Sequence, residues 1–337
     1  MIHFDDLSID LAHASDAPDI VRVVHAAFGA RAQVDPPPPA LAETAESIAA
    51  ELAAGGGVVA RVDGVVAGAI IVTDEGDGTA TLRRVSVHPD FQGSGVASLM
   101  VPAADQVAAS LGCRIGTLVV RREFPGLLAW WQRSGYHVAT RDELYFRLQR
   151  HLPVLIEVPN ADAMRALGEQ LATVAEPGDL ILLEGDLGAG KTTLAQGFGA
   201  GLGVTEPITS PTFVLSRVHP ASSGRTLVHV DAYRLGDAAE LDDLDLLSTP
   251  DSILLVEWGE GRAEHLSENR LWVTIERATG VSDGTGSDPS NPHDPDHDHS
   301  ADVAADEPRT VVIDGHGPRW AVDLGFLADL GARRESA

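Results

Sequence analysis

The chain has 337 residues, 44% of them hydrophobic, and its 50 Asp and Glu outweigh 24 Lys and Arg to leave a formal charge of −26. That balance argues against a broad basic surface for coating nucleic acid, and no apolar run approaches the ~18 residues of a membrane span. A single cysteine, Cys113, excludes an intrachain disulfide and reads as a packing residue of a cytoplasmic protein.

The length suits about two domains of roughly 100–200 residues each, expected over 1–150 and 151–337. MIHFDDLSID has no basic segment leading into an apolar one, so no secretory leader is expected. DAPDIVRVVHAAF (16–28) sets apolar residues at helical spacing behind a capping Asp. Four prolines at 36–39 break the chain, and 40–54 returns to a helical pattern. GGGVVARVDGVVAGAIIVTD (55–74) reads as a hairpin turning at Asp63-Gly64. TATLRRVSVHP (79–89) is the next strand; a glycine turn and a helix follow, then a strand over 114–120 and a short helix within 127–136.

From 151 the pattern restarts with a strand (154–158), a helix (161–175), the strand LILLEG (180–185) and a helix reaching Leu202. LVHVDAYRL (227–235) and ILLVEW (253–258) are apolar strands with polar ends, suited to a sheet covered on both faces by helices. Residues 279–308 hold eight acids, no Lys or Arg and little to bury, so a disordered acidic insertion is expected; His293, His297 and His299 read as part of a solvated linker rather than a metal site. A strand over 309–315 and a helix over 320–331 close the chain. The charge is uneven: residues 1–150 carry −6 and the remainder −20.

The chain contains one lysine, Lys191, among 23 arginines. It stands in GDLGAGKTT: Gly185, Asp186, Leu187, Gly188, Ala189, Gly190, Lys191, Thr192 and Thr193. This is the G-x-x-x-x-G-K-[ST] pattern between a predicted strand and a predicted helix, the setting of a phosphate-binding loop. Glycines let backbone N–H groups turn toward phosphate oxygens, and a helix start favours anions. A compact ammonium reaches the β- and γ-phosphates of ATP where a planar guanidinium would not fit. Thr192 offers a hydroxyl to Mg2+, and two strand-end carboxylates follow: Glu257 as a second Mg2+ ligand, and Asp231 to orient water or a neighbouring ligand.

GDLGAGKTT, SPTF (210–213), HVDAYRL (229–235) and LVEWGE (255–260), in that order and spacing, resemble the TsaE-type ATPases. The resemblance covers about 154–277 and resumes at 309–315. It implies a small P-loop ATPase that supports threonylcarbamoylation of adenosine 37 in tRNA beside a TsaD–TsaB pair, touching tRNA only through those partners. It further implies that Thr192 and Glu257 hold Mg2+, that Ser210-Pro211-Thr212 form a nucleotide-sensing loop, and that Trp258 packs near the nucleotide; Asn160 and Arg309 are weaker nucleotide-side candidates. The acidic insertion departs from the family's compact end.

In the first half, VSVHPDFQGSGVASLMV (85–101) places Gln92, Gly93, Ser94, Gly95, Val96 and Ala97 in a turn between a strand and a helix, where backbone amides would cradle a pyrophosphate. With RRVSVHP before it and WWQRSGYH after it, the region resembles the GNAT N-acetyltransferases over about 8–148. That implies acetyl-CoA on this turn and backbone contacts from Val85 and Val87. Where that family often carries Asn and Tyr, this chain has Phe124 and Trp131, so the acid for the leaving thiolate is sought at Tyr136 or Tyr145 and a base at His88 or Glu123.

The fold expected is α/β: a GNAT-like mixed-sheet domain, then a P-loop NTPase domain with its sheet covered by helices. The leading function is a tRNA-modification ATPase joined to an acetyltransferase-like domain. Two alternatives stay open: the same ATPase with a non-catalytic acetyl-CoA-binding module, and a small-molecule P-loop kinase.

Overall fold

The structure is a computed structural model that describes residues 7–244, 246–249, 251–277 and 307–328. The expected acidic insertion lies outside the described residues except for its last two positions, Glu307 and Pro308. The chain divides into two compact units, Met1–Pro153 and Val154–Ala337.

The first unit runs β1 (Leu7–Leu11), α1 (Ala17–Gly29), α2 (Ala45–Ala54), β2 (Gly56–Val62), β3 (Val65–Asp74), β4 (Thr79–Val87), α3 (Val96–Ser110), β5 (Ile115–Arg121), α4 (Pro125–Arg133), β6 (His137–Arg141) and β7 (Tyr145–His151). α1 carries Pro18 in its first turn, where the missing N–H is harmless, and buries Ile20, Val23, Val24 and Ala27, the i, i+3, i+4, i+7 stripe of one helix face. α2 is capped reciprocally by Thr44 and Ser47.

The sheet order is β1-β2-β3-β4-β5-β7-β6. α1 and α2 pack with Val59, Ala69 and Ile71, while α3 packs with Val58, Ala60, Ile70 and Val72. Alternate residues of β2 and β3 thus point to opposite faces, with α1 and α3 on either side. Two irregularities mark this sheet. β4 carries an extra residue where the register with β3 shifts, and Arg84 there has φ 52. β4 and β5, the one parallel pair, align only over Thr79–Thr81 and Ile115–Thr117 before they separate.

The second unit runs β8 (Val154–Val158), α5 (Ala161–Val174), β9 (Leu180–Glu184), α6 (Lys191–Leu202), β10 (Ser216–Pro220), β11 (Thr226–Asp231), α7 (Ala238–Asp242), β12 (Ser252–Glu257), β13 (Arg270–Arg277) and β14 (Arg309–His316). Its order is β10-β11-β12-β9-β13-β14-β8. β11, β12, β9 and β13 are parallel and form the centre, with antiparallel neighbours outside. Central strands are apolar on both faces: Ile181 and Leu183 meet α5 and α6, while Leu180 and Leu182 meet Leu235, Leu241 and Leu246. α5 and α6 touch backbone to backbone, since a Cβ on Gly197 would fall 1.9 Å from the Arg165 carbonyl oxygen.

The helix expected over 320–331 does not form within the described residues. Short 3-10 turns occupy Pro318–Trp320 and Gly325–Leu327 instead. Gly317 at φ 84 and the Asp323 side chain, which accepts from the Gly325 amide at 2.7 Å, turn the chain while Trp320, Leu324 and Leu327 enter the core. The apolar stretch read as a strand to 235 leaves the sheet after Asp231, where Ala232 and Leu235 fold back onto the α7 side.

Candidate functional site

In the second unit, β9 delivers the glycine loop and α6 carries it away. Gly185, Gly188 and Gly190 have φ of 139, 76 and 116, values open to glycine and strained for other residues. Leu187 is exposed, and Ala189 is buried in the core beneath the loop. Lys191 is itself buried. Its Nζ donates to the carbonyls of Gly185 (2.5 Å) and Asp186 (3.0 Å) and sits 3.6 Å from the centroid of the Trp258 ring. Burial holds this ammonium below the usual lysine range, against the opposing pull of Glu257, Glu184, Asp231 and Asp186.

Thr192, in the first turn of α6, donates its hydroxyl to the Glu257 carboxylate, at 3.1 and 3.2 Å from the two oxygens. Glu257 ends β12 and is paired in register with Asp231 at the end of β11. The Asp231 carboxylate is held by the hydroxyls of Ser210 (2.9 Å) and Thr212 and by the amide of Tyr233 (3.0 Å). Lys191, Thr192, Asp231 and Glu257 therefore gather at one end of the sheet, and SPTF is tied to Asp231. Thr193 follows on α6, half-buried. Asn160 caps α5 through the Ala163 amide (2.9 Å), and Arg309 pairs with Glu307 (3.4 Å).

Three further residues shape this site. His229 lies 2.9 Å from Glu257 and is fully buried; it shares a β11 face with Asp231, a period-two signal present in HVD. Glu184 accepts from the Glu260 amide at 2.7 Å, and burial pushes its pKa up to about 7 against the hydrogen bonds that lower it. Arg277 donates to the Leu187 carbonyl at 2.9 Å. The last two follow from packing against the loop.

In the first unit a cavity of about 540 Å³ opens where β4 and β5 separate. Val85, Val87, Gln92 and Ala97 line it. Gly93 and Gly95, at φ 77 and 93, make the turn with Ser94 between them. Val96 buries its side chain beneath the helix start, and the α3 ladder begins with the Ser98 and Leu99 amides bonding back to Gly95. Amides before these precede the ladder. Phe124, Trp130 and Glu123 complete the rim.

No tyrosine is among the lining residues. Tyr136 is in the core, donating to Asp105 at 2.6 Å, and Trp131 packs 5.1 Å from its ring. Tyr145 faces the Arg121 guanidinium, and His88 accepts from the Asp90 amide. Glu123 is hydrogen-bonded by Arg121 at 2.6 Å, which holds its carboxyl below the usual range and makes it a weak base.

Residues 158–283 match the family described as threonylcarbamoyl adenosine biosynthesis protein TsaE. The chain is 48% identical over 169 residues to the tRNA threonylcarbamoyladenosine biosynthesis protein TsaE of Streptomyces coelicolor, an overlap of 49% of this chain and 99% of that protein. The chain belongs to the TsaE family. The TsaE protein of Bacillus subtilis is 40% identical over 119 residues, 35% of this chain and 75% of that one.

The TsaE region is one of two family matches, because residues 25–136 match the acetyltransferase (GNAT) family. Among solved structures, Bacillus subtilis YdiB aligns with 28% identity over 54% of this chain and 96% of its own, with TM-score 0.36. The PaiA N-acetyltransferase of Thermoplasma acidophilum, solved with coenzyme A, aligns with 14% identity over 43% of this chain and 99% of its own, with TM-score 0.39. In the TsaE-family chain, no helix among the described residues is long and apolar enough to cross a membrane.

Proposed function

We propose that the second unit binds ATP with Mg2+ and hydrolyses it in support of threonylcarbamoyladenosine formation in tRNA, beside a TsaD–TsaB-type pair in the cytoplasm. The first unit is an acetyl-CoA-dependent N-acetyltransferase in this reading. One observation carries the ATPase: the hydroxyl of Thr192 and the carboxylate of Glu257 converge at the head of the glycine loop. That pair of hard oxygen donors fits Mg2+, which takes one or two protein ligands and keeps waters. Bound there, Mg2+ would neutralise charge on the phosphate oxygens.

The chain's own residues do the rest. Loop amides and the α6 start hold phosphate oxygens. Lys191 exchanges its two carbonyl partners for β- and γ-oxygens. Asp231 orients water once Ser210 and Thr212 release it, which couples the SPTF loop to the nucleotide. In the first unit, the turn at 93–97 receives the pyrophosphate, and the separated β4 and β5 admit the thioester arm. A kinase would need an acceptor beside the loop, and the family match supports the ATPase instead.

The test is phosphate release from ATP by the full chain, with and without Mg2+ and the partner pair. Complementation of cells lacking their own TsaE, read as threonylcarbamoyladenosine in tRNA by mass spectrometry, follows. Absence of restored modification sinks the assignment.

A further inference from the structure

The cavity of the first unit joins the two faces of its sheet. α1 and α3 pack on opposite faces. Arg31, two residues past the end of α1, lines the cavity, and so do Gln92 and Ala97 around the start of α3. The gap between β4 and β5 connects them. The pyrophosphate turn belongs to the α3 side, so Arg31 stands on the side from which an acceptor would meet the thioester.

Two charged residues line the cavity, and one of them is already neutralised. Arg121 donates to Glu123 at 2.6 and 3.3 Å. It also donates to the carbonyls of Asp35 (3.0 Å) and Pro36 (2.8 Å), which fixes the segment after α1, with Arg31 on it, against the end of β5. Arg31 has no such partner among the described residues. Its guanidinium lies 4.2 Å from the centroid of the Phe28 ring, and no carboxylate of the described residues pairs with it. Burial lowers its pKa from the ordinary arginine value, the mark of a charge without a counterion. A partly desolvated guanidinium fork gains most from a carboxylate or phosphate that satisfies its donors. A polyamine or basic peptide would meet repulsion there.

We propose that the acyl acceptor of the first unit is a small amine bearing its own anionic group, which Arg31 holds while the amine faces the thioester. The inference rests on the acetyl-transfer reading. In the net reaction the amine nitrogen forms a bond to the acetyl carbonyl carbon, the carbon–sulfur bond of acetyl-CoA breaks, and the proton lost by nitrogen ends on the coenzyme A thiolate. The cavity volume admits the acetyl end of the cofactor and an acceptor of amino-acid size.

The experiment uses the full chain. Coenzyme A binding is first measured by calorimetry. Thiol release from acetyl-CoA is then followed with β-alanine and glutamate as carboxylate probes, O-phosphoethanolamine as the phosphate probe, and β-alaninamide and spermidine as controls. Equilibrium binding of each amine is read by ligand-observed NMR. Anionic amines are expected to bind and react in preference to the controls, and whichever probe has the higher kcat/KM identifies the anion. Arg31→Gln should raise their KM about tenfold, the loss of a charged hydrogen bond, with coenzyme A affinity and the β-alaninamide response unchanged and partial recovery in Arg31→Lys. Preference for spermidine or β-alaninamide, or an Arg31→Gln variant with unchanged KM, overturns the inference. Coenzyme A binding with no anionic amine bound or turned over overturns it alone. Lack of coenzyme A binding overturns the acetyl-transfer reading, and this inference with it.

Discussion

His229 Nε2 lies 2.9 Å from Oε1 of Glu257, with both side chains buried. The contact sets the Glu257 carboxylate between an imidazole on one strand and the Thr192 hydroxyl on a helix. The other ring nitrogen of His229 has no hydrogen-bond partner among the described residues, so the ring's role centres on Glu257. Groups that orient a metal-side carboxylate typically change metal affinity about 10–100-fold when removed. His229→Ala is expected to raise the Mg2+ concentration for half-maximal ATP turnover by about tenfold or more. Metal-free nucleotide affinity should stay put. Glu257→Gln should abolish Mg2+-dependent turnover. Titrations of turnover against Mg2+ check both, and an unchanged midpoint in His229→Ala would remove its positioning role.

Lys191→Arg keeps the charge but enlarges the head group. The ammonium is wedged between two loop carbonyls and the Trp258 ring, with no room for a planar fork. ATP turnover is expected to fall by about two orders of magnitude, the cost of losing one preorganised electrostatic contact. Steady-state phosphate release measures it; wild-type rates would refute the reading of the lone lysine.

Glu184 supplies a pH dependence of stability. Burial raises its pKa from 4.5 to about 7, so the folded chain binds this proton more tightly than the unfolded one. The stabilising contribution is complete below about 4.5 and is lost as pH rises to about 7. Glu184→Gln keeps an acceptor for the Glu260 amide and carries no charge to desolvate. Above pH 7 it should be more stable than the parent by about 3 kcal/mol at most. Over that window its denaturation midpoint should change less with pH. Parallel midpoints across the range would show that Glu184 is not the group responsible.

Thr212→Ala removes one of the two hydroxyls that hold Asp231. Loops ordered by a γ-phosphate and Mg2+ are a common switching device. The variant should lose nucleotide dependence of binding to a TsaD–TsaB-type pair more than it loses nucleotide affinity. Pull-downs with ATP, ADP or neither, beside a direct nucleotide titration, separate the two. Equal capture of wild-type protein in all three states would end the switch hypothesis.

Much of the geometry around the glycine loop was legible in the chain. GDLGAGKTT announces itself because its chemistry is local: glycines for the turn, a lysine and a hydroxyl at fixed offsets. His229 is not among the expected site residues: period-two spacing in HVD puts it on the face of Asp231, but only the fold brings that face to Glu257. β13 is not among the expected strands, although it alternates regularly, with Leu271, Val273 and Ile275 buried and Arg270, Trp272 and Thr274 half-buried; its place between β9 and β14 comes only from the sheet. β6 left no such trace, since all five of its residues are exposed.

Sequence alone determined where the glycine loop lies, which strands are buried on both faces, and which families the two halves resemble, because each depends on neighbours a few positions apart. Tertiary structure decided the rest. Thr192 and Glu257 are 65 residues apart in the chain, and their contact at the sheet end requires β12 to lie beside β9. Glu184 acquires its raised pKa from burial, and Arg121 neutralises Glu123 while no carboxylate of the described residues pairs with Arg31. Burial and charge compensation are sums over everything packed around a group, and those neighbours exist only once the sheets have formed.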